Sequence, residues 1–389
     1  LGTSYWYSGS TGRFVTSTYY MQAYPDWWKE FHAGKPQDAW FGKRWEPLLP
    51  AAAYARSAAD DRPYHTDYKG LGRRFPHPLT GGLGAPGPDY YAALAWTPFG
   101  DEYLLAFTKA AVQGENLGKN PAGVPDLLAV SFSAHDYVNH LFGPESRQSQ
   151  DHLVRLDRMV ADLLAFLEGW VGADKTLVVL TADHGFTNTP EYCATDMRMD
   201  GGRIDPDKML DDLNAHLSGK FGAGRYAIYW RRPTIYLDYD VIDGKNLGRA
   251  EVENVAAEFL ARYPGLHSVF TRTQLILGQV PPTRFGQMAA RTWNRAISGD
   301  LLLIPKNCWY LAAAPREYAA THGGPWTHDT NVPLMFMGPK WITPGGHDEM
   351  VEIVDIAPTL ARLLNVRPPD GSEGSVLRGI LGARAAPRK

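Results

Sequence analysis

Leu177-Val178-Val179-Leu180-Thr181-Ala182-Asp183-His184-Gly185 is the stretch on which the reading of this chain turns. A short run of Leu and Val closed by a turn residue predicts a buried central strand. At its exit a carboxylate and an imidazole stand side by side, followed by a glycine that lets the backbone turn tightly. Ligands gather at strand ends in open α/β sheets. An Asp-His pair there offers one hard and one borderline donor to a divalent metal, most naturally zinc. Taken alone, the pair reads equally well as a capping Asp and a surface His, so the segments around it have to decide.

Immediately upstream, Ser149 to Trp170 carries Leu153, Leu156, Val160, Leu163, Leu164 and Leu167 at helical spacing, which predicts a long amphipathic helix. Before it, Asp126 to Phe132 reads as another buried strand and runs into Ser133-Ala134-His135-Asp136-Tyr137-Val138-Asn139-His140. Strand, helix, strand at this spacing predicts a right-handed crossover to a parallel neighbour. The exits bearing Asp136 and Asp183 then fall on one edge of one sheet. Asp136 and His140 are four apart, so one helical turn aims both side chains at a single point.

Further out the texture changes. Residues 1–95, rich in Trp, Tyr, Gly and Pro, predict a cap or insertion, with short strands at Ser4–Tyr7 and Phe14–Tyr20 around a Gly9–Gly12 turn. A short helix opens at Pro25. Residues 96–389 predict the core of an α/β fold with a largely parallel central sheet and helices on both faces, in one continuous domain overall. Asp101 to Val112 is helical, as are Pro206 to Ser218 and Arg249 to Arg262; Ile235–Leu237, Asp300–Ile304 and Val332–Met337 are strands. The turn-rich segment Thr321-His322-Gly323-Gly324-Pro325 presents a third histidine, and a helix follows Asp355 with Pro358 in its first turn.

The 389 residues suffice for a full core. A formal net charge of -3 gives no global attraction to nucleic acid, and no apolar run reaches membrane-spanning length. Cys193 and Cys308 are the only cysteines, which excludes a thiolate zinc site and leaves one bridge open. The chain begins at Leu1 without a leader, which says nothing of its compartment. Asp136, His140, Asp183, His184 and His322 together form a mixed Asp/His set at strand ends. Such a set suits zinc, and two zinc ions a few ångströms apart suit in-line displacement at phosphorus.

At this point the chain resembles a known family. Asp136 with His140, Thr181-Ala182-Asp183-His184-Gly185, His322-Gly323 with Asp329, and Asp355-Ile356-Ala357-Pro358-Thr359-Leu360 follow, in order, the pattern of the alkaline phosphatase superfamily. Thr97-Pro98-Phe99-Gly100 and Gly114-Glu115-Asn116-Leu117-Gly118 resemble the periplasmic bacterial alkaline phosphatases related to nucleotide pyrophosphatase/phosphodiesterases. The resemblance implies two Zn2+ per active site: Asp136, His140 and His322 on one, Asp183 and His184 as half of the other.

It also implies what is absent. The second zinc takes a further Asp and a Thr or Ser nucleophile, and a Lys/Arg pair grips the phosphoryl oxygens; all would lie upstream of Leu1. Thr16, Ser17 and Thr18 come too late in the chain to substitute. Gly324, Trp326 and His328 stand where relatives often have Ser, Tyr and Tyr, and His328 reads as a pocket or surface residue. The expected function is hydrolysis of small-molecule phosphate monoesters by a periplasmic or secreted enzyme. It would be monomeric when intact and joined by its missing N-terminal segment. The alternatives are a phosphodiesterase or nucleotide pyrophosphatase with the same metals, and a non-catalytic metal- or carbohydrate-binding module.

Overall fold

The aromatic N-terminal region folds onto the first long helices. Its placement comes from a computed structural model that describes residues 2–313 and 318–382; Leu1 and the 383–389 end of the second expected region lie outside them. Trp6–Ser8 and Arg13–Val15 pair antiparallel, with Trp6 opposite Val15. The second strand stops at Val15, short of the expected Tyr20. Pro25 precedes the helix Asp26–Ala33, which turns Trp28 and His32 inward. Phe14, Trp28, Trp45 and Tyr90 then share one core with Phe99, Tyr103 and Phe107 of the helix Pro98–Gly114, and with Val138, Leu141 and Phe142 of the helix Ala134–Phe142. The abundance of aromatic residues is spent on this core.

A buried carboxylate ties the same region down. Asp151, in the helix Arg147–Val171, accepts hydrogen bonds from Trp45 Nε1, Tyr54 OH and the Leu48 N–H at 2.6–2.7 Å, and pairs with Arg155 at 2.7 Å. A buried charge held by four donors costs little to keep and much to break. The rest of that helix departs from expectation. Its apolar stripe is only half-buried, with Leu153 exposed, and the inward positions are Gln148, Ser149, Asp151, His152 and Met159.

The α/β architecture is as expected, whereas the strand pairing is mixed. Among the described residues the one parallel ladder joins Gly202–Ile204 to Trp309–Leu311. Val178–Thr181 pairs antiparallel with Leu334–Met337, in register Leu180 to Met335. Residues 126–132 form no strand and have no ladder partner, and most of them, Leu127 and Leu128 included, are exposed. The apolar pattern there is therefore real, but among the described residues nothing covers it, so the buried parallel neighbour does not form. A separate antiparallel sheet runs Ala227–Arg231, Thr234–Leu237, Leu301–Pro305, Leu266–Thr271. The helices Pro206–Phe221 and Arg249–Leu260 pack on it through Leu213, Leu217, Val252, Ala256 and Leu260. Cys193 and Cys308 form a disulfide beside the parallel ladder.

Candidate metal centre

Three segments deliver the donors. The helix Ala134–Phe142 carries Asp136 in its first turn and His140 in its last. Its first N–H, from Ala134, is accepted by Asp101 Oδ1, and the other Asp101 oxygen lies 3.3 Å from His152 Nε2 in the core. The bond from the Ala134 N–H to Asp101 anchors the start of the helix, and hence where Asp136 stands. Sequence reading placed Asp101 at the acidic start of its own helix but gave no sign of the partnership, which joins residues far apart in the chain.

His322 arrives on a strap laced to His140. The Ala319 N–H donates to the His140 carbonyl at 2.7 Å, and His140 Nδ1 lies 2.8 Å from the Ala320 carbonyl. A carbonyl can only accept, so Nδ1 carries the proton and Nε2 is left as a donor atom for a metal. His184 repeats the device with Nδ1 3.0 Å from the Gly185 carbonyl. Gly323, at φ +98°, allows the turn that follows His322. Gly185 is needed for a different reason. A Cβ there would run into the His328 carbonyl, and its N–H donates to the Asp329 carbonyl at 2.7 Å.

The side chains converge. Asp136 Oδ1 lies 3.4 Å from His322 Nε2 and 3.7 Å from His184 Nε2, while Oδ2 lies 3.4 Å from His140 Nε2. Asp183 Oδ2 is 3.5 Å from His184 Nε2 and its side chain is open to solvent. The rings of His184 and His322 stack at 3.4 Å, and Phe186 packs against all three imidazoles. Phe186 was not singled out in the sequence, where one aromatic residue after a glycine carries no signal.

Asp136, His184 and His322 bring their ligand atoms within 4.8 Å of one another. Donors about 2.1 Å from a tetrahedral ion stand roughly 3.4 Å apart, so the observed separations suit a divalent cation. Asp136 Oδ1 is buried without a hydrogen-bond partner, the sort of orphan that a cation satisfies. Burial raises the Asp136 carboxyl, opposed by His140 and His184. Burial and the neighbouring imidazoles push His322 down to about 4, so at neutral pH it is uncharged and free to donate a lone pair.

The hydroxyls set aside in the sequence stay set aside. Thr16 Oγ1 donates to the Ser4 carbonyl, and Ser17 Oγ accepts from the Tyr19 N–H, both beside the N-terminal hairpin. His328 Nε2 meets Thr187 Oγ1. Asp329, buried, accepts the Gly324 N–H at 2.6 Å and so braces the turn that carries His322.

An Asp/His cluster of this kind on an α/β frame suits a metal-assisted hydrolase, and the comparisons give the class: the phosphate-ester hydrolases of the alkaline phosphatase superfamily. The sequence profile of the type I phosphodiesterase / nucleotide pyrophosphatase family matches residues 3–328. Alkaline phosphatase PafA of Elizabethkingia meningoseptica is 30% identical over 387 residues, covering 97% of this chain and 68% of its own length. Alkaline phosphatase PhoV of Synechococcus elongatus is 32% identical over 383 residues, covering 97% and 66%. A Myroides odoratus protein named calcium-transporting ATPase is 33% identical over 377 residues, covering 96% and 67%. The crystal structure of wild-type PafA superposes with a TM-score of 0.84 at 29% identity, over 97% of this chain and 70% of that one. The chain belongs to this family and, within the superfamily, to the PafA-type alkaline phosphatases, which are phosphoric monoester hydrolases. It spans about two thirds of the length of the curated relatives it matches. Among the described residues no helix is long and apolar enough to cross a membrane.

Proposed function

We propose that the protein hydrolyses phosphate monoesters at a two-zinc site built on Asp136, His140, Asp183, His184 and His322. The observation that carries this is the buried, unpartnered Asp136 Oδ1, facing two imidazole nitrogens while Oδ2 faces a third. Bound zinc would supply charge to activate a hydroxyl nucleophile and to stabilise the departing oxygen. The chain's own residues do the positioning. His140 and His184 are held in the tautomer that leaves Nε2 free, Asp136 lies between the two groups of imidazoles, and Asp183 reaches out to solvent. By resemblance to the family Asp136, His140 and His322 are assigned to one ion and Asp183 and His184 to the other, whereas without ions the tightest donor group is Asp136, His184 and His322.

The nucleophile, a further Asp and a Lys/Arg pair are assigned to a segment upstream of Leu1, covalently attached or held non-covalently. Two observations support it. The relatives are about half as long again, since this chain covers 66–68% of their length, and one face of the Val178–Thr181 and Leu334–Met337 ladder presents Leu180, Met335 and Met337 to solvent. Residues 1–95 are assigned as the cap, 96–389 as the metal-binding core. The disulfide favours an oxidising compartment, periplasmic or extracellular. A monomer acting on small phosphate esters is the simplest assembly.

The test is to chelate the full-length protein, restore zinc, and follow p-nitrophenyl phosphate hydrolysis against metal content. Activity should rise with the second equivalent of zinc. Full activity in the chelated protein overturns the reading. The family profile also covers phosphodiesterases; a higher kcat/KM on bis(p-nitrophenyl) phosphate than on the monoester selects that alternative.

A further inference from the structure

We propose that the cleft beside His322 receives the substrate's leaving group, and that Arg232 makes it favour phosphate compounds whose leaving group carries a second anionic group. The proposal rests on the phosphoryl-transfer reading of the metal centre. A cleft of about 150 Å3 is lined by Arg232, Thr321, His322, Gly324 and Trp326, so one cavity wall is shared between a metal-site imidazole and a guanidinium. Arg232 sits on the turn between the strands Ala227–Arg231 and Thr234–Leu237. Its Nη1 donates to Thr321 Oγ1 at 2.9 Å, one residue before His322, and its charge is among the influences holding the His322 pKa down.

Among the described residues that guanidinium is paired with no carboxylate. The ionisable groups that interact with it are His322 and the phenols of Tyr310 and Tyr318, and no salt bridge to it forms among the described residues. The other cation lining the cleft, Lys306, is paired with Asp200 at 3.1 Å. The one carboxylate lining it, Asp329, is buried with Oδ2 taken by the Gly324 N–H. Arg has five N–H donors in a planar fork that matches phosphate oxygens in pairs. Thr321 takes one of them, which leaves the fork able to grip an anion. Pro305, Pro325, Trp326 and Met288 make much of the remaining wall apolar, suited to the organic part of the same molecule. A nucleoside diphosphate and a sugar bisphosphate both fit this description, since each releases a product that still bears a phosphate.

The experiment uses the full-length, zinc-loaded protein and its Arg232→Gln and Arg232→Lys variants. Kinetics are measured on p-nitrophenyl phosphate, a nucleoside diphosphate and a sugar bisphosphate. Arg232→Gln should lower kcat/KM for the two phosphate-bearing leaving groups at least tenfold more than for the aryl ester, mainly through KM, with Arg232→Lys between. Whichever of the two loses more identifies the source of the second phosphate. Equal losses on all three substrates, or none, overturn the inference. Calorimetric binding of methylenediphosphonate and methylphosphonate supplies a readout that does not depend on turnover. Arg232→Gln should weaken the first at least tenfold more than the second, and equal weakening rejects the subsite. Wild-type protein that hydrolyses none of the three substrates would instead reject the monoesterase reading, and calorimetry would still decide the cleft.

Discussion

At the scale of single residues, the centre depends on donor atoms that cannot be exchanged. His322→Ala removes one of the two imidazole nitrogens facing Asp136 Oδ1. Loss of a direct ligand should exceed the roughly 10–100-fold penalty that supporting residues bring, so zinc content and activity should fall together. Retention of both in His322→Ala sinks the assignment. Gly185→Ala should be as damaging without touching a ligand, because its Cβ would displace the His328 carbonyl and move His184 with it. Thermal unfolding and zinc stoichiometry of that variant check the point. Asp329 gives a pH signature of its own. Burial pushes its carboxyl up to about 6, so the folded protein holds this proton more tightly than the unfolded chain does. Its contribution to stability is therefore lost as pH rises from about 4 through 6. Asp329→Asn keeps an acceptor for the Gly324 N–H without the charge. Urea midpoints should show it more favourable relative to wild type at pH 8 than at pH 4.5, and a pH-independent difference would contradict the burial argument.

At the scale of elements, periodicity found most helices and strands within a few residues. Pro206–Phe221, Arg249–Leu260, Leu301–Pro305 and the helix after Asp355 all lie where their apolar spacing puts them. What periodicity does not carry is the partner of a strand. The same Leu and Val run that reads as a central strand at 177–181 pairs antiparallel with Leu334–Met337, and the apolar stretch 126–132 has no described partner at all. The five candidate ligands draw notice in the sequence as chemically unusual residues at element ends, and of them the structure gathers Asp136, His184 and His322 within 4.8 Å of one another. Asp101, His152, Phe186 and Arg232 were not, since their roles arise only from distant segments meeting. The cysteines are an intermediate case: their number allowed a bridge but no more. Cys193 follows the start of the helix Pro190–Thr195, and Cys308 immediately precedes the strand Trp309–Leu311. The bridge therefore locks the parallel ladder of Gly202–Ile204 and Trp309–Leu311 across 115 residues of sequence. Opening a loop of that size costs about 4–5 kcal/mol in the chain-entropy picture, with smaller values common. The Cys193→Ser, Cys308→Ser double variant should melt well below wild type yet bind the same amount of zinc at low temperature. A loss of zinc from the folded variant would show that a sulfur takes part in the centre.

At the scale of the whole molecule, this chain by itself is short of donors and of cover for an apolar face. In the proposed arrangement Asp183 and His184 would be the only two donors this chain gives a second ion, and stable zinc sites usually supply three or four. Leu180, Met335 and Met337 form an exposed apolar face on the strand ladder, with Met335 61% and Met337 52% accessible, and Leu127 nearby in sequence to the first ligand is 75% accessible. An apolar surface of this kind next to a reactive centre marks a place where another segment packs, and left open it invites association of copies. Residues 1–389 expressed alone should therefore hold about one zinc tightly, bind a hydrophobic dye, and hydrolyse p-nitrophenyl phosphate at less than about 1% of the full-length rate, as the loss of a covalent nucleophile entails. Supplying the upstream segment, in the same chain or as a separate piece, should raise the zinc content to about two, quench the dye signal and restore turnover. The three readouts should move together, because one strand-forming segment would cover the apolar face and carry the nucleophile and remaining ligand. Turnover by residues 1–389 alone at a rate comparable to the full-length protein would place the nucleophile within this chain, and the hydroxyls of the described residues would have to be searched again.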